Sequence, residues 1–134
     1  MLFCLSALIK TLFLLTYYRS NNSLEMSNSL NVIKYVKHNN VRLKTGKREE
    51  ATKVLLEFFK ELEEKPTGMR GFVIMDDMQD LQEYVVLTFW ETKEDMDSFY
   101  KSDNKPLADL VEKLKPSFEQ PPVRKDYQVS KFKV

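Results

Sequence analysis

Glu83-Tyr84-Val85-Val86-Leu87-Thr88-Phe89-Trp90, followed by Glu91-Thr92-Lys93-Glu94-Asp95, is the stretch on which the fold turns. Residues 83–90 are rich in β-branched and aromatic side chains, the composition of a strand. Apolar side chains occupy both parities, so both faces of this strand need cover. The run ends in the only tryptophan of the chain. Behind it, Thr92-Lys93-Glu94-Asp95 reads as a capping box with aspartate in place of the usual glutamate. A strand therefore passes directly into a helix, with a large flat indole at the junction. That indole suits the wall of a pocket for a planar ligand, and it equally suits a plain core anchor.

Upstream, Val32 to Lys44 is strand-like, with alternation at Val41-Arg42-Leu43, and Thr45-Gly46 breaks it. Ala51, Val54, Leu55, Phe58, Phe59 and Leu62 recur at three-and-four spacing, predicting an amphipathic helix over 47–64. Thr45 is its candidate N-cap, and Pro66-Thr67-Gly68 follows its last turn. Met69 to Met75 predicts a second strand and Gln82 to Glu91 a third. Beyond Thr92 comes a short helix carrying Met96, Phe99 and Tyr100, then another presenting Leu107, Leu110, Val111 and Leu114. The tail from Val123 to Val134 alternates Val123, Lys125, Tyr127 and Val129 against Arg124, Asp126, Gln128 and Ser130, a strand with one solvated face. The order β-α-β-β-α-β predicts an α+β fold of the ferredoxin-like split βαβ type with an antiparallel sheet. Helices cover only one face of such a sheet. A second copy is the simplest cover for the other, so the expected assembly is a homodimer, a dimeric α/β barrel.

Composition narrows the chemistry. The 134 residues, 43% hydrophobic and 31% charged, fit one domain with an ordinary core. Lys10, Arg19 and Glu25 are the charges of residues 1–25; without them 19 basic face 19 acidic residues (21 − 2 against 20 − 1). That balance offers no footprint for nucleic acid. One cysteine, Cys4, excludes an internal disulfide and a multi-cysteine metal site, and one histidine, His38, excludes a multi-histidine site.

Residues 1–25 read as an apolar leader and polar linker preceding a domain at 26–134. The leader admits a mis-called start with translation from Met26, a membrane anchor, or an uncleaved signal. Lys10 in its middle disfavours a span, and the basic n-region of a signal peptide is absent. The expected location is cytoplasmic, with a membrane attachment only if residues 1–25 belong to the mature protein.

Four further pieces carry a resemblance: the first strand running into Lys44-Thr45-Gly46, Met69-Arg70-Gly71-Phe72, Val86-Leu87-Thr88-Phe89-Trp90-Glu91-Thr92-Lys93-Glu94-Asp95, and Phe99-Tyr100-Lys101-Ser102-Asp103. Together they resemble the antibiotic biosynthesis monooxygenase superfamily of dimeric α+β barrels over about residues 31–134. The nearest resemblance within it is to haem-degrading monooxygenases, which use an asparagine on the first strand, a tryptophan ending the third and a histidine after it. The asparagine matches Asn39 and the tryptophan Trp90. The histidine position falls near Asp109, and no histidine follows residue 38. A carboxylate is a poor axial donor to haem iron. Cofactor-independent quinol and phenol monooxygenases of the same superfamily need no metal. For that chemistry the resemblance implies Asn39, Trp90 and Asp109 as catalytic candidates, with Asp109 a base if burial raised its pKa. Arg70, Phe99 and Tyr100 are the substrate-binding candidates.

Three functions follow as expectations. The first is a monooxygenase acting on a small aromatic or quinol substrate with no cofactor. The second is a haem-binding or haem-degrading protein, and the third a non-catalytic dimeric barrel holding a hydrophobic ligand. Bland alternatives stand beside the site residues: Trp90 as a core anchor, Asn39-Asn40 as a turn or bulge, and His38 as a half-exposed strand residue.

Overall fold

Burial alternates strictly along the third strand and fixes where the layers lie. Tyr84, Val86, Thr88 and Trp90 are buried, whereas Val85, Leu87 and Phe89 are only half-buried. The structure, a computed structural model, describes residues 32–133; the leader and the alternative start at Met26 lie outside the described residues. Ile33–Lys131 forms a compact unit. Its elements are β1 (Tyr35–Arg42), α1 (Arg48–Leu62), β2 (Met69–Asp76), β3 (Glu83–Trp90), α2 (Lys93–Phe99), α3 (Lys105–Leu114) and β4 (Val123–Gln128), with one 3-10 turn at Lys115–Ser117. The strands form one antiparallel sheet in the order β2-β3-β1-β4. This is the ferredoxin-like α+β fold expected from the sequence.

Each helix buries the stripe its sequence predicts. Ala51, Leu55, Phe58, Phe59 and Leu62 of α1 and Leu107, Leu110 and Leu114 of α3 meet the inner face of the sheet around Val41, Val86 and Trp90. Phe59 stacks on Phe72 of β2 at 4.0 Å between centroids. Thr92 caps α2 as expected, its Oγ1 accepting from the Asp95 N–H at 3.2 Å. Asn104 caps α3 through Leu107 N–H and also donates to the Phe99 carbonyl at 2.7 Å, which fixes the angle between the two helices.

Two local expectations are corrected. Thr45 does not cap α1; the turn at Gly46 (φ +79°) separates them, and Lys47 occupies the cap position without a side-chain bond. The acidic Glu49 and Glu50 of the first turn complement the helix dipole there. The last strand ends at Gln128, and all six of its residues are exposed, not one parity of them. β4 is an edge strand beside β1 alone.

Arg42 ties the far end of the sheet together, bonding Asp80 (3.0 Å), Glu83 (2.9 Å), Glu119 (3.0 Å) and Gln82 (3.1 Å). Its guanidinium holds Asp80 below the usual carboxylate range. On the outer face, Val85, Leu87, Phe89, Val73 and Met75 form an apolar surface continuous with Val123 and Tyr127 of β4. His38 lies on that face, edge-on to Tyr127.

Candidate functional site

Strand alternation sends Asn39 and Val41 of β1, and Tyr84, Val86 and Thr88 of β3, to the helix-covered face. Between them and α1 and α3 lies an apolar cavity of about 60 Å³, with Phe58, Phe99, Leu107, Leu110 and Leu114 among its walls. An apolar cavity that admits a benzene ring is about 150 Å³. A planar aromatic ligand therefore needs more room than the cavity has as it stands.

One corner of the cavity is polar. Asn39, buried on β1, donates from Nδ2 to the Val86 carbonyl (3.0 Å) and to the Tyr100 hydroxyl (3.4 Å). Its Oδ1 accepts from Arg124 Nε of β4 at 3.2 Å. The Tyr100 hydroxyl lies 2.9 Å from Thr88 Oγ1, which also accepts the Trp90 indole N–H at 3.0 Å. Lys37 Nζ and the Arg124 guanidinium carbon stand 4.7 and 5.0 Å from the Tyr100 ring centroid, within cation–π range. Lys37 is paired with Asp126 at 2.5 Å. Burial pushes the Tyr100 phenol up, against the hydrogen bonds from Thr88 and Asn39 and the charge of Arg124. It remains a neutral phenol at physiological pH.

Of the residues singled out from sequence, Asn39, Phe99 and Tyr100 line this cavity. Trp90 does not. It is fully buried beneath it, packed against Phe99 (5.2 Å) and Tyr100 (6.3 Å between centroids) and hydrogen-bonded to Thr88. Asp109 lies on the exposed side of α3, 3.7 Å from Lys105, and does not line the cavity. It stands about 100° around the helix from Leu110 and about 160° from Leu107. Arg70 is exposed on β2 and pairs with Glu91. Thr88, Tyr84 and Arg124 line the cavity and were not singled out. Thr88 shares the parity of Trp90 two residues on, which was a readable signal; Arg124 depended on the register of β4 against Asn39, which was not.

The site does not fit haem. Of the donors that haem iron takes, the cavity lining offers no His, Cys or Met and only two phenols, Tyr84 and Tyr100, the second of them bonded to Thr88 and Asn39. β1 pairs with β3 without a bulge at Asn39-Asn40, so His38 faces away from the cavity. A macrocycle is also far larger than the space present. Among the described residues, no group of three or more His, Cys, Asp or Glu side chains could hold a metal ion.

The chain belongs to the antibiotic biosynthesis monooxygenase family, whose model matches residues 34–104. Solved structures agree in fold. A Caulobacter crescentus protein described as a "putative antibiotic biosynthesis monooxygenase" superposes with a TM-score of 0.63 at 13% identity, over 75% of this chain and 93% of that one. A Nitrosomonas europaea protein of the same description gives 0.61 at 16%, over 72% and 89%. A conserved protein from Methanosarcina mazei gives 0.60 at 14%, over 74% and 93%. No curated protein matches at a significant level. Among the described residues, no helix is long and apolar enough to cross a membrane.

Proposed function

We propose that this protein is an oxygen-using enzyme that acts on a small aromatic or quinol substrate and requires no metal or organic cofactor. The observation that carries this reading is the apolar cavity with a single polar corner at Asn39, Thr88 and Tyr100. An electron-rich ring reacts with oxygen directly: one oxygen atom enters the ring, the other leaves as water, and the substrate itself supplies the electrons. The protein then has to exclude water, orient the ring, and place donors where negative charge develops. The Thr88–Tyr100 hydroxyl pair supplies a donor at the polar corner, and Asn39 positions it by donating to the Tyr100 hydroxyl. The test is oxygen uptake with a panel of hydroquinones and naphthols. Asn39→Ala is expected to lower kcat/KM about 10- to 100-fold, the equivalent of about 1.4–2.7 kcal/mol. No uptake above the uncatalysed rate for any substrate would leave a ligand-binding barrel without catalysis.

A second copy of the chain is the proposed cover for the outer sheet face. Leu87 and Phe89 at its centre are flanked by Val73 and Met75, which are 37% and 43% exposed. Exposed apolar side chains clustered on one sheet face support association through it. Leu87→Glu should convert a dimer to a monomer in sedimentation velocity while leaving the far-UV spectrum unchanged. A wild-type protein that sediments as a monomer at micromolar concentration would refute this assignment.

A further inference from the structure

Of the polar residues that line the cavity, Asn39, Thr88, Tyr100 and Arg124 are bonded to one another, and Tyr84 stands apart. It is 1% exposed, and its hydroxyl is buried with no hydrogen-bond partner among the described residues. Nearly every buried polar group of a folded protein has a partner, and one without costs stability. The chain therefore keeps a hydroxyl where phenylalanine would fill the same space.

Register places Tyr84 away from the polar corner. Tyr84 and Thr88 share one face of β3, four residues and about 13 Å apart along the strand, with Val86 between them. On β1, Val41 is level with Tyr84 and Asn39 with Val86, so the neighbour of Tyr84 is apolar. Arg124, the charged residue of the lining, is level with Asn39. An apolar middle thus separates Tyr84 from the groups at Thr88 and Tyr100.

We infer that Tyr84 is a specificity-determining residue, whose hydroxyl receives a second, uncharged polar group at the end of the ligand remote from Thr88 and Tyr100. A phenol both donates and accepts, so a hydroxyl, keto or amide substituent satisfies it equally. A carboxylate does not suit this end. It would be buried with no cation of the lining beside it, near Asp76, the register partner of Tyr84 on β2, whose charge helps to keep the Tyr84 phenol protonated. A site that commits a buried polar group to one substituent penalises the analogue that lacks it, because the group then stays unpaired. The inference rests on the cavity being the substrate site, as proposed above, and adds a requirement at the second end of the ligand.

The probes are 2,6-dihydroxynaphthalene and 2-naphthol, which differ only in the far oxygen. Their binding to the full-length wild type and to Tyr84→Phe, measured by isothermal titration calorimetry, forms a cycle between residue and substituent. Wild type should bind the diol about tenfold more tightly than 2-naphthol. In Tyr84→Phe that preference should fall to about twofold or less, with 2-naphthol bound as by wild type. Equal binding of the two probes by wild type would overturn the inference. So would a preference that survives in Tyr84→Phe, since another group or a water would then meet the far oxygen. Loss of 2-naphthol binding in Tyr84→Phe would overturn it too, because Tyr84 would be shaping the wall and not reading the substituent. Failure of both probes to bind wild type would remove the inference together with the cavity as a ligand site. A Tyr84-dependent preference without oxygen uptake would sustain the inference while removing the proposed activity; oxygen uptake with no such preference would do the reverse.

Discussion

Replacing Thr88 by valine should destabilise the protein mainly through Trp90, two residues away. The substitution conserves volume but removes the oxygen that accepts the indole N–H at 3.0 Å and contacts the Tyr100 hydroxyl at 2.9 Å. Trp90 is 0% exposed, so its N–H cannot turn to water. Leaving such a donor unsatisfied costs about 1–3 kcal/mol. Tyr100 keeps its contact with Asn39, so its loss adds only about 0.5–1 kcal/mol. In a Trp90→Phe background the stranded donor no longer exists, and Thr88→Val should cost only the smaller part. The expected coupling is therefore about 1–2 kcal/mol. Thr88→Ser, which retains both bonds and loses one methyl, should cost about 1 kcal/mol with little coupling. Urea unfolding followed by far-UV circular dichroism at one fixed protein concentration gives all the corners of the cycle. A coupling below about 0.3 kcal/mol would refute the reasoning, since the Trp90–Thr88 bond would then contribute nothing specific.

Two other substitutions test the framework around the site. Gly68 has φ +78°, and a Cβ there would overlap the Asp95 side chain at the start of α2. Gly68→Ala should cost at least about 1–2 kcal/mol in urea unfolding, and a neutral result would mean that the turn relaxes freely. Burial, aided by the charge of Asp76, pushes the Tyr84 phenol up to about 12. An acid that holds its proton more tightly when folded gives stability that is fully present below its unfolded value, about 10, and lost as pH rises toward the folded one. Tyrosinate absorbance should thus show a late ionisation that disappears in Tyr84→Phe, along with that part of the alkaline loss of stability. At neutral pH the same variant should match wild type or exceed it by up to about 1 kcal/mol, because the deleted hydroxyl has no partner among the described residues. A clear destabilisation would show that this hydroxyl is bonded.

The fold was legible because periodicity is a direct consequence of burial. The spacing of Ala51, Leu55, Phe58 and Leu62, the two-sided apolar run of β3 and the Thr92 cap each report a local environment that the chain itself imposes. The site was legible only in part. Asn39 came from the resemblance and lies at the cavity, and Tyr100 stands on the helix after β3, but Asp109, carried over from the same pattern, takes the place of a histidine this chain lacks. Helical geometry then puts residue 109 outside, since the positions facing the sheet on α3 are 107, 110 and 114. Arg124 could not be found without register: whether it or Lys125 faces the cavity depends on how β4 pairs with β1, and β4 has no buried face to set that choice. Tyr84 reads as an ordinary core aromatic until its hydroxyl is found without a partner.

The indole that opens the sequence argument also resolves differently from either of its first readings. Trp90 is a core anchor by burial, yet its N–H makes a single bond, to a residue of the cavity wall. By occupying a lone pair of Thr88 Oγ1, it restricts the directions in which that hydroxyl can point, and so biases how the Thr88–Tyr100 pair shares its hydrogens. Which of the two hydroxyls keeps its hydrogen free is thereby set from behind the wall. Truncating Trp90 to Phe should accordingly disturb ligand orientation without removing any ligand contact, raising kcat sensitivity more than KM. Asn39→Ala, which removes a group at the cavity surface itself, should affect both. If the two variants gave the same split between kcat and KM, the indirect role assigned to Trp90 would be wrong.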